Sequence, residues 1–180
     1  MRVQRGLGRK WVRIMLSNRL MTVLKSSSAV LFAWSTTLKT DMLLSNANRT
    51  ALSTSNGNVC SDTDLTGSIY CELSTTASYS TLYYSLGLMP ATSTRPGTAT
   101  TTPVGGVKIP PAQPAATYGI SYNAATGAYK IKKNNVLLIS GALTPVANMR
   151  VFYFASFYVT GFSGTINSGQ SNFTYTPEYL

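Results

Sequence analysis

Five carboxylates and no histidine bound the chemistry open to this chain. Without an imidazole the commonest general base is missing, and with it the Ser-His triad and most zinc sites. The acids are Asp41, Asp62, Asp64, Glu72 and Glu178. Asp62 and Glu72, set side by side across a hairpin, could form a glycosidase-type pair of proton donor and base, although nothing in their spacing requires them to meet. Asp62-Thr63-Asp64-Leu65-Thr66-Gly67 puts two acids ahead of a glycine, a partial likeness to a calcium loop. It lacks the third acidic position and the closing glutamate, so a solvated turn is the simpler reading. The expectation is no enzyme, no metal site and no cofactor.

The cations are more informative. The chain carries 15 Lys and Arg against 5 acids, a net charge of +10. Arg2, Arg5, Arg9, Lys10, Arg13, Arg19 and Lys25 all precede the first acid, Asp41, and the rest carries eight basic residues against five acids, a net of only +3. A cationic arm on a nearly neutral body is the pattern of a polyanion-binding segment, and these seven residues are the candidate nucleic-acid contacts. Arg2, Arg5, Arg9 and Arg13 fall on one stripe of a helix, with Trp11, Ile14 and Met15 on its other side. Gly6 and Gly8 weaken that helix. The arm is therefore either partly helical or a chain that orders when it meets its polyanion. Such contacts neutralise phosphates and do not read base sequence.

The elements that must carry this arm are strands. Only 11% of residues are charged and 44% are hydrophobic, so the polar surface comes mainly from Ser, Thr, Asn and Gln. That balance suits a β-rich shell or module better than a helical enzyme. Arg150 to Thr160 is the densest aromatic and β-branched run. Val151, Tyr153, Ala155, Phe157 and Val159 alternate with Phe152, Phe154, Ser156, Tyr158 and Thr160, which predicts a central strand covered on both faces at its start. Further strands are expected at Ala29–Leu38 (extended by Asp41–Leu44), Gly67–Leu73, Tyr79–Leu88, Tyr118–Tyr122, Ala128–Lys132, Val136–Ser140 and Asn172–Tyr175. Asn134-Asn135 suits a two-residue hairpin loop. Asn46 to Asn58 is rich in turn-forming residues and reads as a loop. Met89 to Ala116, with Pro90, Pro96, Pro103, Pro110, Pro111 and Pro114, reads as a long surface loop. Cys60 and Cys71 either bridge a hairpin or stay as small buried hydrophobes. No apolar run is long enough to span a membrane, and the short, late run Ala29–Trp34 makes a poor secretory signal.

The expected organisation is an arm at 1–27 and a single β-sandwich domain at 28–180 with a long loop at 89–116: all-β, antiparallel, about eight strands. This layout resembles the single jelly-roll coat proteins of small icosahedral viruses, with the arginine stripe where such families keep their genome-binding arm. The fragment Asn123 to Leu143 is similar to the strand pair of trimeric heads of the C1q and tumour-necrosis-factor type. The first resemblance implies a capsid protein of the virion that self-assembles around nucleic acid, with other virion proteins as further partners. The second implies a trimeric spike or fibre head, for which Tyr83, Tyr118, Tyr122 and Tyr179 are candidate contact residues.

Overall fold

The computed structural model describes residues 31–78, 83–92, 105–144, 148–155 and 162–179. The seven arm cations, and residues 156–160 at the end of the aromatic run, lie outside this set. Among the described residues there are ten strands: β1 (Trp34–Ser45), β2 (Thr50–Ser61), β3 (Ile69–Thr75), β4 (Tyr84–Pro90), β5 (Gly106–Ile109), β6 (Ala116–Tyr122), β7 (Ala128–Lys133), β8 (Val136–Ala142), β9 (Met149–Ala155) and β10 (Ser163–Asn167). The described residues contain no helix. All pairings are antiparallel, in the order β5-β4-β9-β2-β10-β3-β6-β7-β8, with β1 on β2.

The path is one sheet that folds over on itself at β2. The C-terminal half of β2, Gly57 to Cys60, pairs with β9, while its N-terminal half, Thr50 to Leu52, pairs with β10. One hairpin, β1–β2, therefore feeds both layers. The layers meet across an aromatic interior. Tyr84 on β4 and Tyr118 on β6 pack edge to face at 6.1 Å, and their hydroxyls share a hydrogen bond of 2.5 Å. Phe162 fills the space between Tyr84 and Tyr153. Aromatic pairs at these separations add roughly 0.5–1.5 kcal/mol beyond the area they bury.

β9 is the central strand its sequence predicts, flanked by β4 and β2. Val151, Tyr153 and Ala155 face the main core, while Phe152, on the opposite face, joins Cys60, Met89 and Leu38 in a second, smaller cluster. The hairpin at Asn134-Asn135 also forms as expected. Both residues have positive φ, 48° and 66°, the geometry a two-residue turn between twisted strands demands.

Several expectations are corrected. Asn46 to Asn58 is not a loop. Asn46, Ala47, Asn48 and Arg49 make a tight turn, and the chain is β2 from Thr50. Its small residues are there for packing, since Ala51 and Ser53 are buried with about 1% exposure or less. Asn172 to Tyr175 is not a strand; the last strand is β10, ahead of it. β10 was concealed by Gly164, where a Cβ would come within 3.1 Å of the Leu73 and Tyr153 side chains, so a larger residue would need those side chains to give way. The proline-rich stretch contains a strand of its own, the four-residue edge strand β5. Gly87 and Gly106 make that pairing possible: a Cβ on Gly87 would lie 2.4 Å from the Gly106 Cα.

Candidate functional site

Four of the five acids have protein partners. Asp62 accepts hydrogen bonds from the Ala33 amide at 3.1 Å and the Thr63 hydroxyl at 3.0 Å. Asp64 binds the Arg150 guanidinium through Nε and Nη2, each at 2.6 Å. The partial calcium-loop sequence is thus held by its own protein partners. Glu72, 3% exposed on β3, accepts from the Tyr70 hydroxyl at 3.1 Å and from the amides of Thr174 and Tyr175 at 2.8 and 2.7 Å. Asp62 and Glu72 therefore serve separate networks and are not brought together as a carboxylate pair. Among the described residues no three of His, Cys, Asp and Glu gather as a metal site.

Glu72 holds down a C-terminal strap, residues 168–179. Ser168 and Gln170 bind the Phe32 backbone at its start. Phe173 packs edge to face on Tyr70 at 4.8 Å. Glu178 ends the strap between two lysines of β7, 2.8 Å from Lys130 Nζ and also paired with Lys132. The alternation of β7 explains the pairing. Tyr129 and Ile131 turn inward, so Lys130 and Lys132 share the outer face. The hydrogen bond from Lys130, then that from Lys132, holds the Glu178 carboxyl below the usual carboxylate range. The same bond raises Lys130. Sequence reasoning missed this contact, although Glu178 is the sole acid after Glu72 and its partners sit at alternate positions of a strand.

The remaining described cations are likewise committed within the body. Lys39 donates to the Met42 carbonyl, Arg49 to the Asn46 side chain, and Lys133 to the Gln113 side chain. Lys108 lies 4.5 Å above the Tyr83 ring. Of the four tyrosines named as candidate contacts, Tyr118 and Tyr122 are core residues with 0% and 1% exposure, and are removed from that role. Tyr83 is 42% exposed, and Tyr179 lies beside Lys130. Cys60 and Cys71 are unbonded and buried. Burial, opposed only by Arg150, pushes the Cys60 thiol up to about 11, and burial raises Cys71 as well, so neither behaves as a reactive thiolate at neutral pH.

No family model and no curated sequence matches the chain. Solved structures do. The SPRY domain of human HERC1 matches with a TM-score of 0.61 at 10% identity, over 78% of this chain and 100% of that one. The TRIM65 PSpry domain matches at 0.54 and 10% identity, over 76% and 91%. A human SPRY domain matches at 0.50 and 13% identity, over 74% and 99%. These neighbours are SPRY domains rather than coat proteins, and the likeness at such identities is one of fold: the chain is an all-β antiparallel sandwich similar in architecture to SPRY domains.

Proposed function

We propose that this chain is a structural shell protein of a virion, a capsid component that self-associates while its basic N-terminal arm contacts the packaged nucleic acid. The observation that carries the reading is the segregation of charge. Every described Lys and Arg of the body is engaged by a carboxylate, a carbonyl, an amide or a ring of the same chain. The arm concentrates seven cations with no acid among them, against a net of +3 spread over the rest of the chain, and so has the most charge to offer a polyanion. A β-sandwich body bearing such an arm supports a division of labour: the body packs against its copies, and Arg2, Arg5, Arg9, Lys10, Arg13, Arg19 and Lys25 neutralise phosphates without regard to base sequence.

A second reading, a trimeric spike or fibre head, draws on exposed Tyr83 with Lys108 over its ring, an aromatic–cation pair presented beside the β5 edge. Size-exclusion chromatography with absorbance at 260 and 280 nm, before and after nuclease and high salt, separates the two. The shell reading expects a very large particle rich in 260 nm absorbance that loses its nucleic acid as salt rises. With each arm cation on a phosphate, log affinity should fall by about 0.7–0.9 per contact per unit of log salt. A compact trimer free of nucleic acid would refute it in favour of the head.

A further inference from the structure

We infer that the β7–β8 hairpin is a docking surface for an anionic lipid bilayer, resting on it with the aliphatic side chains of β8 at the acyl boundary and the lysines of β7 among the headgroups. The inference goes beyond the shell reading and does not depend on it. Val136, Leu137 and Leu138 are 70%, 53% and 43% exposed. They are consecutive residues of a strand that is exposed along nearly its entire length. The other exposed large hydrophobics among the described residues, Leu31, Leu43 and Tyr83, stand singly, as is ordinary on a protein surface.

The charge beside this run selects the occupant. β7 carries Lys130, Lys132 and Lys133. One Glu178 carboxylate is shared between Lys130 and Lys132, and Lys133 donates to the uncharged Gln113 side chain. Three lysines against one glutamate leave a net of +2, and no other acid lies on β6, β7 or β8. Register sets the two kinds of side chain together. Lys132 is paired with Leu137 and Lys133 with Val136, and residues paired across strands share a face of the sheet. Each face of the hairpin end thus has a cation beside an aliphatic group. A lysine so placed lays its methylene stem along apolar surface and carries its ammonium outward to a phosphate or carboxylate headgroup. Nucleic acid would answer the lysines and leave the three aliphatics in water. An anionic bilayer answers both.

The backbone sets the depth. β8 ends the strand path and pairs among the described strands only with β7, so one row of its N–H and C=O groups faces outward. Its bulge at Leu138, between the pairs Lys132–Leu137 and Ile131–Ile139, interrupts that row and deters a further strand while leaving the side chains free. Open backbone groups enter hydrocarbon only at a large cost. The strand therefore stays at headgroup level, where water remains, and its side chains alone reach the acyl chains, the position of segments that lie in the interface. The hairpin is also held firmly for the purpose. The Asn134 amide donates to the Thr117 carbonyl, and the Asn134 side chain accepts from the Thr117 amide, tying the turn to β6.

The test is binding of the full-length protein, freed of nucleic acid by nuclease and high salt, to vesicles of phosphatidylcholine with and without phosphatidylserine. The arm is cationic too, so the readout must be local. Cys60 and Cys71 are buried, which lets a polarity-sensitive thiol dye be placed by Leu138→Cys, or by Tyr83→Cys near the opposite edge, one site at a time. On phosphatidylserine vesicles the dye at 138 should shift to the blue and be quenched by brominated lipid, and the dye at 83 should do neither. Leu137→Ser should raise the lipid concentration for half-binding at least about threefold, and Lys132→Gln about fivefold. Glu178→Gln, which frees both lysines, should lower it, a gain that a merely damaged fold would not give. Circular dichroism should be unchanged in all three. Vesicle binding with the dye at 138 unshifted would mean that the arm alone binds, and would overturn the proposal. So would no binding, equal binding to phosphatidylcholine alone, a Leu137→Ser variant that binds as the wild type does, or an equal dye shift on duplex DNA. A shift that needs no vesicles and grows with protein concentration would overturn it in favour of a second copy at this edge.

Discussion

Glu72→Gln should loosen the C-terminal strap, and its cost can be worked from the geometry. One carboxylate oxygen accepts from both the Tyr70 hydroxyl and the Tyr175 amide, the other from the Thr174 amide. Glutamine offers one oxygen, which can keep the first two bonds. Its NH2 group then faces the Thr174 N–H, donor against donor. A hydrogen bond to a charged group is worth about 1.5–3 kcal/mol, and a buried donor left unsatisfied costs about 1–3 kcal/mol. Against this, the variant no longer desolvates a charge at a site with 3% exposure, which returns part of the loss. The net expectation is a destabilisation of about 2 kcal/mol, or roughly 4–8 °C in melting temperature for a chain of this size. Thermal and urea unfolding at pH 7 would measure it, and limited proteolysis of the C-terminus would show whether the strap is the part that opens. A variant as stable as the wild type, with an equally protected C-terminus, would refute the reasoning. The strap would then be held by the Phe173–Tyr70 packing and the Glu178 pairs alone.

The Glu178 contacts predict a pH dependence. Its pKa is lowered in the folded chain, so the stability it contributes is present above the ordinary carboxylate pKa and is lost as pH falls through the lowered value. Proteolytic sensitivity of the C-terminus should rise on that acidic limb, and Glu178→Gln should flatten the rise. Tyr84→Phe leaves the Tyr118 hydroxyl buried without its partner and should cost about 1–2 kcal/mol. The double variant Tyr84→Phe/Tyr118→Phe removes both polar groups and should cost less than the sum of the two single changes, which a double-mutant cycle of urea midpoints would show. Gly127→Ala should be severely destabilising, because φ there is +73° and the new Cβ would lie 1.9 Å from the Leu143 carbonyl oxygen; loss of soluble protein or a strongly reduced melting temperature would be the readout.

The sequence was most legible where side-chain type and backbone need coincide. The alternation of Val151, Phe152 and Tyr153 declares a strand with two covered faces. Asn134-Asn135 declares a turn because few other residues accept positive φ twice in succession. It was least legible where packing overrides propensity. Ala51 and Ser53 look like loop residues, yet β2 needs small side chains where it passes under the aromatic interior. Gly164 looks like a turn, yet it permits a close approach of β10. The candidate arm was visible from charge alone, since a count of cations needs no fold. The Glu178–Lys130–Lys132 contact was not, because it joins positions 48 residues apart that only the register of β7 and the path of the strap bring together.

The place of β10 bears on the order in which the chain can fold during synthesis. Residues 163–167 leave the ribosome after every other described strand, yet β10 lies between β2 and β3, in the middle of the path. Until it arrives, these two strands have a gap between them and the two halves of the sheet cannot close. A nascent or truncated chain lacking β10 holds two open edges inside what will become the core, where a chaperone or a stray strand could pair. The sheet is thus closed by the strand that comes last in sequence among those described, inserted between two that were made long before it.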